Sequence, residues 1–397
     1  MSGDLLVKDV RPMGGSVTDV RVRDGRIEAL GQRLEAPGDA ATVVEGRGEL
    51  LLPGFVDAHA HLDKTLWGLP WRPHSGGPTL AELIRNERRH RRELPPVAQR
   101  AGNLLAAYVA AGVTHIRSHV DVDPEAGLAS IEGVLEARER FRDRVTVEIV
   151  AFPQSGMLVE PGTRELLEAA VEAGAECVGG LDPAGVDGDP VEHLDAIFGI
   201  AARHGAGVDI HLHDCGELGA WEVRLIVERT RALGLAGRVM ISHAFCLSIV
   251  ADGVFDELAR DLAEQRIAVA TAASPRGEPL PLRRLRDAGV AVCLGQDGIR
   301  DLWSPYGTGD MLERAMLLAW RSSFRRDEDV ELALETATIG GARALGLEGY
   351  GLDVGCHADL VVLPGEGLAE AVVSRPPRSL VVKRGRIVAG RRASTVA

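Results

Sequence analysis

The feature that most constrains the fold is a regular alternation, across the middle of the chain, of short β-branched runs with longer amphipathic runs. Eight of the short runs are long enough for buried strands, and the stretches between them have helical periodicity. The predicted strands are Leu51–His59, Val113–Val120, Val145–Phe152, Cys177–Leu181, Val208–His211, Val239–His243, Ile267–Ala272 and Val290–Gly295. Eight successive βα units predict a (β/α)8 barrel of the TIM type. A doubly wound nucleotide fold is the alternative, but its glycine-rich phosphate-binding motifs are absent.

The two ends of the chain share a different pattern. Short alternating runs broken by glycines fill residues 1–50, and similar runs return near the C-terminus at 359–363, 379–382 and 387–389. Because an isolated hairpin is only marginally stable in water, pairing the two ends into one unit is favoured. We therefore expect a small β-sandwich domain composed of residues 1–50 and 350–397, and a barrel domain at 51–349.

Composition excludes several classes of function. The chain has 45 basic and 58 acidic residues, a net charge of −13, and few aromatic residues, so nucleic acid is not expected as a partner. No apolar run is long enough to span a membrane, and the N-terminus lacks the apolar segment of a signal peptide, so we expect a cytoplasmic protein. The five cysteines are widely spaced without a C-x-x-C pair, which predicts reduced thiols. The sequence leaves self-association into a homo-oligomer open.

Polar side chains lie where the predicted strands end, which is where barrel enzymes carry their catalytic groups. The first strand leads into Asp57-Ala58-His59-Ala60-His61, and the alternation of a strand points both histidines to the same side. The fifth strand leads into His211-Leu212-His213-Asp214, the sixth ends in His243, and Asp297 follows the eighth. Three imidazoles and one carboxylate suit Zn²⁺ or Fe²⁺ with a position left open for water. We predict one divalent metal ion per chain, held by His59, His61, His211 and Asp297.

Several motifs resemble the amidohydrolase superfamily, and the resemblance runs nearly end to end. They are Pro53-Gly54-Phe55-Val56-Asp57-Ala58-His59-Ala60-His61, the histidines on strands five and six, Asp297, and Gly355-x-x-Ala358-Asp359-Leu360-Val361-Val362-Leu363. Further motifs resemble the cytosine deaminase branch: Asp63, Arg117-x-His119-Val120-Asp121-Val122, Val150-Ala151-Phe152-Pro153-Gln154 and Trp303-x-Pro305-x-Gly307-Thr308. The N-isopropylammelide isopropylaminohydrolases of s-triazine breakdown are more similar still, through Asp63-Lys64, Gly179-Gly180-x-Asp182-Pro183-Ala184, His211-x-His213-Asp214, Ser242-His243-Ala244 and Ile299-Arg300-Asp301.

This resemblance implies hydrolysis of an exocyclic C–N bond on a small planar N-heterocycle, a cytosine-like pyrimidine or an amino-s-triazine, with release of ammonia or an alkylamine. Asp297 would accept a proton from the attacking water, and His243 would polarise that water or hold the developing anion. Cytosine deaminases carry glutamate where this chain has Asp214, so either Asp214 or His213 is the candidate proton shuttle to the leaving nitrogen.

The resemblance also implies a set of substrate contacts. Lys64 and Gln154 would bind the polar edge of the ring, and Phe152 and Trp303 would flank its faces. Gly298 stands where the cytosine deaminases have aspartate and the triazine enzymes have asparagine, so this pocket is expected to lack one polar contact and to have room for a bulkier substituent. His119 is interpreted as a residue behind the ligands or in the core.

Two alternatives remain within this fold. Binuclear relatives bridge two metals with a carboxylated lysine on strand four, whereas this chain has no lysine between Lys64 and Lys383, which favours one metal. Ring-opening hydrolysis of a cyclic amide or ureide more often uses two metals, so we rank it lower. A non-catalytic scaffold of the same fold would be expected to have eroded ligands, and all four are present.

Overall fold

The protein is described by a computed structural model covering residues 4–38 and 40–390 together with the backbone of 394–395. Its strands are β1 Leu5–Pro12, β2 Thr18–Arg23, β3 Arg26–Gly31, β4 Thr42–Pro53, β5 Phe55–Ala60, β6 Val113–Asp121, β7 Thr146–Phe152, β8 Cys177–Leu181, β9 Gly207–His211, β10 Val239–Ser242, β11 Ala268–Thr271, β12 Val292–Leu294, β13 Leu360–Leu363, β14 Leu380–Lys383, β15 Arg386–Gly390 and β16 Ser394–Thr395. Its helices are α1 Leu80–Arg91, α2 Val97–Ala110, α3 Ala129–Phe141, α4 Thr163–Glu172, α5 Pro190–His204, α6 Gly216–Ala232, α7 Asp252–Glu264, α8 Leu282–Asp287, α9 Met311–Arg321, α10 Asp327–Thr336, α11 Ile339–Ala344 and α12 Leu368–Ser374.

The middle of the chain forms the predicted barrel. Strands β5 to β12 make one parallel sheet in sequence order. The first and last strands meet at their carboxyl ends, where Ala60 pairs with Asp297 and the Asp297 N–H donates to the His59 carbonyl at 2.8 Å. Gly295 permits this approach, because a Cβ there would lie 2.4 Å from the His59 carbonyl oxygen. The (β/α)8 prediction is therefore confirmed, and the closure places two predicted metal ligands on adjacent strands.

The first barrel strand differs from the prediction. The run Leu51–His59 was expected to be one strand, but its first three residues belong to β4 of the small sheet, and the barrel strand begins at Phe55. Leu51 pairs with Val362 of β13, and the Gly54 N–H donates to the Asp359 carbonyl at 2.8 Å. The division arises because the C-terminal strands pair with this part of the run, a long-range contact that local composition does not encode.

The two ends of the chain form a single small β unit, as expected. Strands β1 to β4 and β13 to β16 belong to one sheet, in which β4 is joined to β1 on one side and to β13 on the other. Ile27 of β3 and Val382 of β14 lie near opposite ends of the strand order yet share one apolar core. The sheet therefore curls over itself, so that its two halves pack together as in a sandwich.

Lys383 anchors the small sheet to the barrel. Its buried ammonium donates to the carbonyl of Thr114 in β6 at 3.0 Å and to Asp359 Oδ2 at 2.8 Å. A buried ammonium is tolerated when a carboxylate and a carbonyl accept its hydrogen bonds, whereas a buried ammonium without such partners would be strongly destabilising. This contact holds β13 and β14 against the foot of the barrel, away from the carboxyl ends of its strands.

All five cysteines are free thiols, as the spacing predicted. Within the described residues, no helix is both long enough and apolar enough to cross a membrane.

Candidate active site

The candidate site lies at the carboxyl ends of the barrel strands. Strand β5 carries His59 and leads into His61, β9 ends in His211, and β10 and β12 lead into His243 and Asp297. Some strand ends here adopt left-handed backbone conformations, with φ of 71° at His243 and 61° at Asp297. Such conformations are unfavourable for residues other than glycine and cluster at functional sites. The strained backbone therefore lies at the rim where the sequence predicts the catalytic and metal-binding residues.

The four predicted metal ligands are brought together. Asp297 Oδ1 lies 3.2 Å from His61 Nε2 and 3.8 Å from His59 Nε2. The centre of the His211 ring lies 4.5 Å from that of His59 and 5.5 Å from that of His61. Side chains that are far apart in the sequence thus form one cluster, and its members are nitrogen and oxygen donors.

The donor set fits a divalent metal ion. His59 Nε2 and both ring nitrogens of His211 are buried and have no hydrogen-bond partner among the described residues. Donor atoms of two groups lie within 4.8 Å of one another: His59 with His119 and His211, and His59 with His243 and Asp297. Buried polar atoms without partners are costly, and coordination to Zn²⁺ or Fe²⁺ would satisfy them. The site therefore extends beyond the predicted ligands to His119, whose place in the cluster the sequence left open.

A buried hydrogen-bond chain fixes the orientation of His59. The Ser242 hydroxyl donates to Asp209 Oδ1 at 2.7 Å and so accepts from His59 Nδ1, which lies 2.8 Å away. Burial raises the pKa of Asp209, but the nearby His119, Arg117 and Ser242 bring it below its ordinary value, so the carboxylate stays charged. With its proton on Nδ1, His59 directs the lone pair of Nε2 into the cluster, as a metal ligand requires. The sequence did not reveal Asp209.

His213 faces the cluster, held by a second carboxylate. Its Nδ1 lies 2.8 Å from Asp182 Oδ2, and its ring centre lies 4.4 Å from that of His243. Burial alone would lower the pKa of His213, but the hydrogen bond and charge of Asp182 raise it above its ordinary value. Burial, together with the charge of His213, lowers the pKa of His243 to about 3. The pKa values of two neighbouring imidazoles are therefore shifted in opposite directions, which is a suitable arrangement for acid–base chemistry.

Asp214 contacts the loop that follows β8. Its Oδ2 accepts from the Gly185 N–H at 3.0 Å, and Glu222 Oε1 accepts from the Ala184 N–H at 2.9 Å. Burial and the neighbouring carboxylates raise the pKa of Asp214 above its ordinary value and that of Glu222 to about 8. These two carboxyl groups therefore fasten residues 182–185, the loop that carries the partner of His213.

Lys64 and Gln154 meet beyond the carboxyl ends of β5 and β7. The Lys64 ammonium donates to Gln154 Oε1 and lies 3.1 Å from Asp121 Oδ1 and 3.6 Å from Glu87 Oε2. Burial would lower the pKa of Lys64, but Asp121 and Glu87 raise it above its ordinary value, so the side chain is a cation. Glu87 comes from α1 and also accepts from the indole N–H of Trp303. Glu87 could not be identified from the sequence, because nothing local connects α1 to Lys64.

Trp303 and Phe152, the two aromatic residues predicted to flank the ring, differ in their exposure. Trp303 is half-buried, and its ring centre lies 4.7 Å from the Lys64 ammonium. Phe152 is fully buried and stacks on His211 at 4.1 Å, with 28° between the rings. Phe152 therefore supports a predicted metal ligand from behind and does not present a face to a substrate ring.

Gly298 does not open the space that the sequence suggested. A Cβ at Gly298 would lie 2.0 Å from Asp301 Oδ2, so the carboxylate of Asp301 fills that position. Asp301 is held there because its Oδ1 accepts from the backbone N–H groups of Trp303 and Ser304, both at 2.7 Å. The turn after β12 thus replaces a side chain at 298 with a carboxylate from three residues further on.

Comparisons with known proteins show the family to which the chain belongs. A model of the Amidohydrolase family matches residues 42–389. N-isopropylammelide isopropyl amidohydrolase of Pseudomonas sp. (strain ADP) is 32% identical over 381 residues, which cover 94% of each chain. The crystal structure of N-isopropylammelide isopropylaminohydrolase from Burkholderia multivorans ATCC 17616 is 47% identical, with a TM-score of 0.93 over 97% of this chain and 98% of that chain. The structure of 5-methylcytosine deaminase from Klebsiella pneumoniae, liganded with 5-fluorocytosine, is 27% identical, with a TM-score of 0.87 over 99% of both chains.

Proposed function

The chain belongs to the amidohydrolase family and is a hydrolase acting on carbon–nitrogen bonds, and on that premise we propose that it hydrolyses an exocyclic C–N bond of a small planar N-heterocycle. The names of the similar proteins favour an amino-s-triazine or a cytosine-like pyrimidine. The observation that carries the proposal is the pairing of the His–Asp cluster with His213 and Asp182 at one rim. The leaving group would be ammonia or an alkylamine.

The cluster would hold one divalent metal ion through His59, His61, His211 and Asp297. When bound, zinc or iron lowers the pKa of a coordinated water toward neutrality and makes it a nucleophile. His119 lies close enough to contribute to the same site. Asp182 accepts from both the N–H and the ring of His213, so it is engaged elsewhere and does not supply a bridge to a second ion.

Three residues are assigned to the chemical steps, two of them to proton transfer. Asp297 lies beside the imidazoles of the cluster, which with the hydrogen bond from His61 hold its pKa well below the ordinary value despite burial. Its carboxylate accepts a proton from the attacking water as the new C–O bond forms, while neutral His243 stabilises the oxygen. His213, whose pKa is raised by the hydrogen bond and charge of Asp182, gives a proton to the nitrogen as the C–N bond breaks. The products are the ring carbonyl and the free amine.

Lys64, Gln154 and Trp303 would place the ring for this reaction. Gln154 accepts from Lys64 through Oε1, which leaves its amide N–H groups to bind a ring carbonyl or nitrogen. The half-buried Trp303 would stack on one face of the ring. The bond that breaks would then be the one presented to the His213–His243 pair.

Turnover of the zinc- or iron-loaded protein on N-alkyl aminotriazines and cytosine-type compounds tests the proposal. Mass spectrometry should find the loss of an amine in exchange for water. Replacing His213→Asn should lower kcat by roughly 10²- to 10⁴-fold. The matched control is His204→Asn, a surface histidine that pairs with Glu168 on the outside of the barrel.

Two results would overturn the assignment. A substrate that gains water without losing nitrogen would establish ring opening instead. Equal activity of the wild type and the His213→Asn variant would remove the proposed acid, provided that circular dichroism shows both proteins folded.

A further inference from the structure

A buried aspartate–histidine pair lies between two of the loops that border the candidate site. Asp187 belongs to the loop after β8, and His193 lies on α5. His193 Nδ1 is 2.6 Å from Asp187 Oδ2, and both side chains are completely buried. The hydrolytic steps described above use neither residue.

Asp187 holds the loop after β7, which carries Gln154. The Met157 N–H donates to both carboxylate oxygens of Asp187, at 3.0 and 3.1 Å, and the Val159 N–H donates to Oδ1 at 3.3 Å. Gln154 lies in the turn just before these residues, which a hydrogen bond from the Gly156 N–H closes at 2.9 Å. The position of the turn that carries Gln154 therefore depends on Asp187.

Gly156 permits the close approach of this turn to the carboxylate. Its φ of 90° lies in the left-handed region, and a Cβ there would lie 2.7 Å from Asp187 Oδ1. A side chain at this position would strain the backbone and push the carboxylate away. The turn therefore fits the carboxylate only with glycine at its end.

Asp187 is also connected to Asp182, the partner of His213. The two aspartates share one turn of the chain, in which the Val186 N–H donates to the Asp182 carbonyl at 2.8 Å. The Asp182 carboxylate accepts in turn from the N–H and the ring of His213. A displacement of Asp187 would therefore be passed through this turn to the proposed acid.

The pair is anchored to the barrel. The ring of His193 packs against β8, because a Cβ at Gly180 would lie 2.6 Å from His193 Nε2. Burial would raise the pKa of Asp187, but the hydrogen bond and charge of His193 and the backbone N–H groups bring it below its ordinary value, so the carboxylate is charged. A buried carboxylate is stable only while such donors stay in place. Asp187 therefore holds both loops and α5 together.

We propose that Asp187 is a positioning residue for the proposed reaction, because it fixes the loop that carries Gln154 relative to the loop that carries Asp182. The ring contact of Gln154 and the proton donor His213 are thereby set to each other through one buried carboxylate. Asp187 is itself completely buried and acts only through these residues. This inference rests on the proposed function, which gives Gln154 and His213 their roles.

The variant Asp187→Asn keeps the size of the side chain but loses the charge and one of the two acceptor oxygens. With the zinc-loaded protein and a substrate that the wild type hydrolyses, it should lower kcat by about 10- to 100-fold, because misplaced reacting groups cost that much. It should also raise KM by about 3- to 10-fold, the value of one hydrogen bond, because Gln154 shifts.

Asp189→Asn is the matched control for this substitution. Asp189 is exposed in the same loop and caps α5 by accepting from the Glu192 N–H at 3.0 Å. Asparagine caps a helix as well as aspartate does. The control should therefore leave both kcat and KM unchanged.

Double variants separate positioning from a general loss of structure. If Asp187 acts through Gln154, the effect of Asp187→Asn on KM should disappear in a Gln154→Ala background. Its effect on kcat should likewise disappear in an Asp182→Asn background. Effects that add in both backgrounds would overturn the inference, because independent effects add whereas effects transmitted through a shared residue do not.

Hydrogen exchange followed by mass spectrometry measures the coupling of the loops without turnover. In Asp187→Asn the amides of Met157 and Val186, one in each loop, should both exchange faster than in the wild type. The increase at Met157 should be at least about tenfold, the value of one hydrogen bond to a charged group. Faster exchange at Met157 alone would overturn the inference, because the two loops would then not be coupled.

Two variants of His193 keep the inference testable if Asp187→Asn does not fold. In His193→Asn the amide keeps a donor close to the position of Nδ1, whereas His193→Ala has none. The alanine variant should show the changes in kcat, KM and exchange, and asparagine should restore all three toward the wild type; equal behaviour of the two variants would overturn the inference. If the wild type releases no amine from any compound, the proposed function fails, while the exchange measurement still decides whether Asp187 couples the two loops.

Discussion

Replacing Glu222→Gln is expected to make the protein more stable at alkaline pH. Glu222 has no solvent exposure and lies on α6 beneath the loop that carries Asp182. Burial raises its pKa from 4.5 to about 8, and the charges of Asp214 and Asp182 add to the effect. Glutamine keeps the oxygen that accepts from the Ala184 N–H at 2.9 Å, and it cannot ionise.

The sign follows from proton binding in the two states. Between pH 4.5 and about 8 the folded protein keeps the Glu222 proton that the unfolded chain has lost. The contribution of Glu222 to the unfolding free energy of the wild type is therefore fully present at acid pH, and it declines as the pH rises through that window. One pKa unit corresponds to about 1.4 kcal/mol, so the advantage of the glutamine variant should grow by up to about 4 kcal/mol between pH 5 and pH 8.

Urea unfolding followed by tryptophan fluorescence at several pH values measures this difference. Glu228→Gln is the matched control, because Glu228 is exposed on the same helix. Its unfolding free energy should follow that of the wild type at every pH. If the curve of Glu222→Gln also ran parallel to the wild type, the buried carboxyl would not hold a proton, and the account of the loop at 182–185 would fail.

Two further substitutions test contacts of the barrel rim. Ser242→Ala should weaken zinc binding by about 10- to 100-fold in competition with a chelator, because the hydroxyl at 2.8 Å orients the His59 ring; unchanged affinity would show that packing alone orients it. Tyr108→Phe should lower the unfolding free energy by roughly 1–3 kcal/mol, since the hydroxyl donates to the buried Asp57 carboxyl at 2.6 Å; a loss well below this range would mean that the remaining donors already satisfy Asp57.

The polar residues at the ends of the barrel strands could be predicted from the sequence, because each of them follows a local apolar run. His59 and His61 follow one apolar run with the spacing that points both to one side, and His211 and Asp297 end two others. Once the runs are placed in a closed barrel, their carboxyl ends must meet. The gathering of these residues at one rim therefore follows from periodicity and topology, without any knowledge of side-chain contacts.

Contacts made across loops were not predictable in this way. Nothing near Glu87 in the sequence indicates that α1 crosses to Lys64, and the role of Phe152 depends on which face of the barrel its ring meets. Gly298 was misjudged for the same reason, since its missing side chain is replaced by Asp301 only when the turn folds back.

The sequence by itself determined the barrel, the pairing of the chain ends and the residues gathered at the rim, because strand and helix periods report burial and a barrel has only one catalytic end. Tertiary structure decided the protonation and the partners of those residues. His213 is paired with Asp182 and Lys64 with Glu87 across loops, and burial raises the pKa of Glu222 to about 8. Such properties depend on distances between elements and on exclusion of water, which arise only when the elements pack.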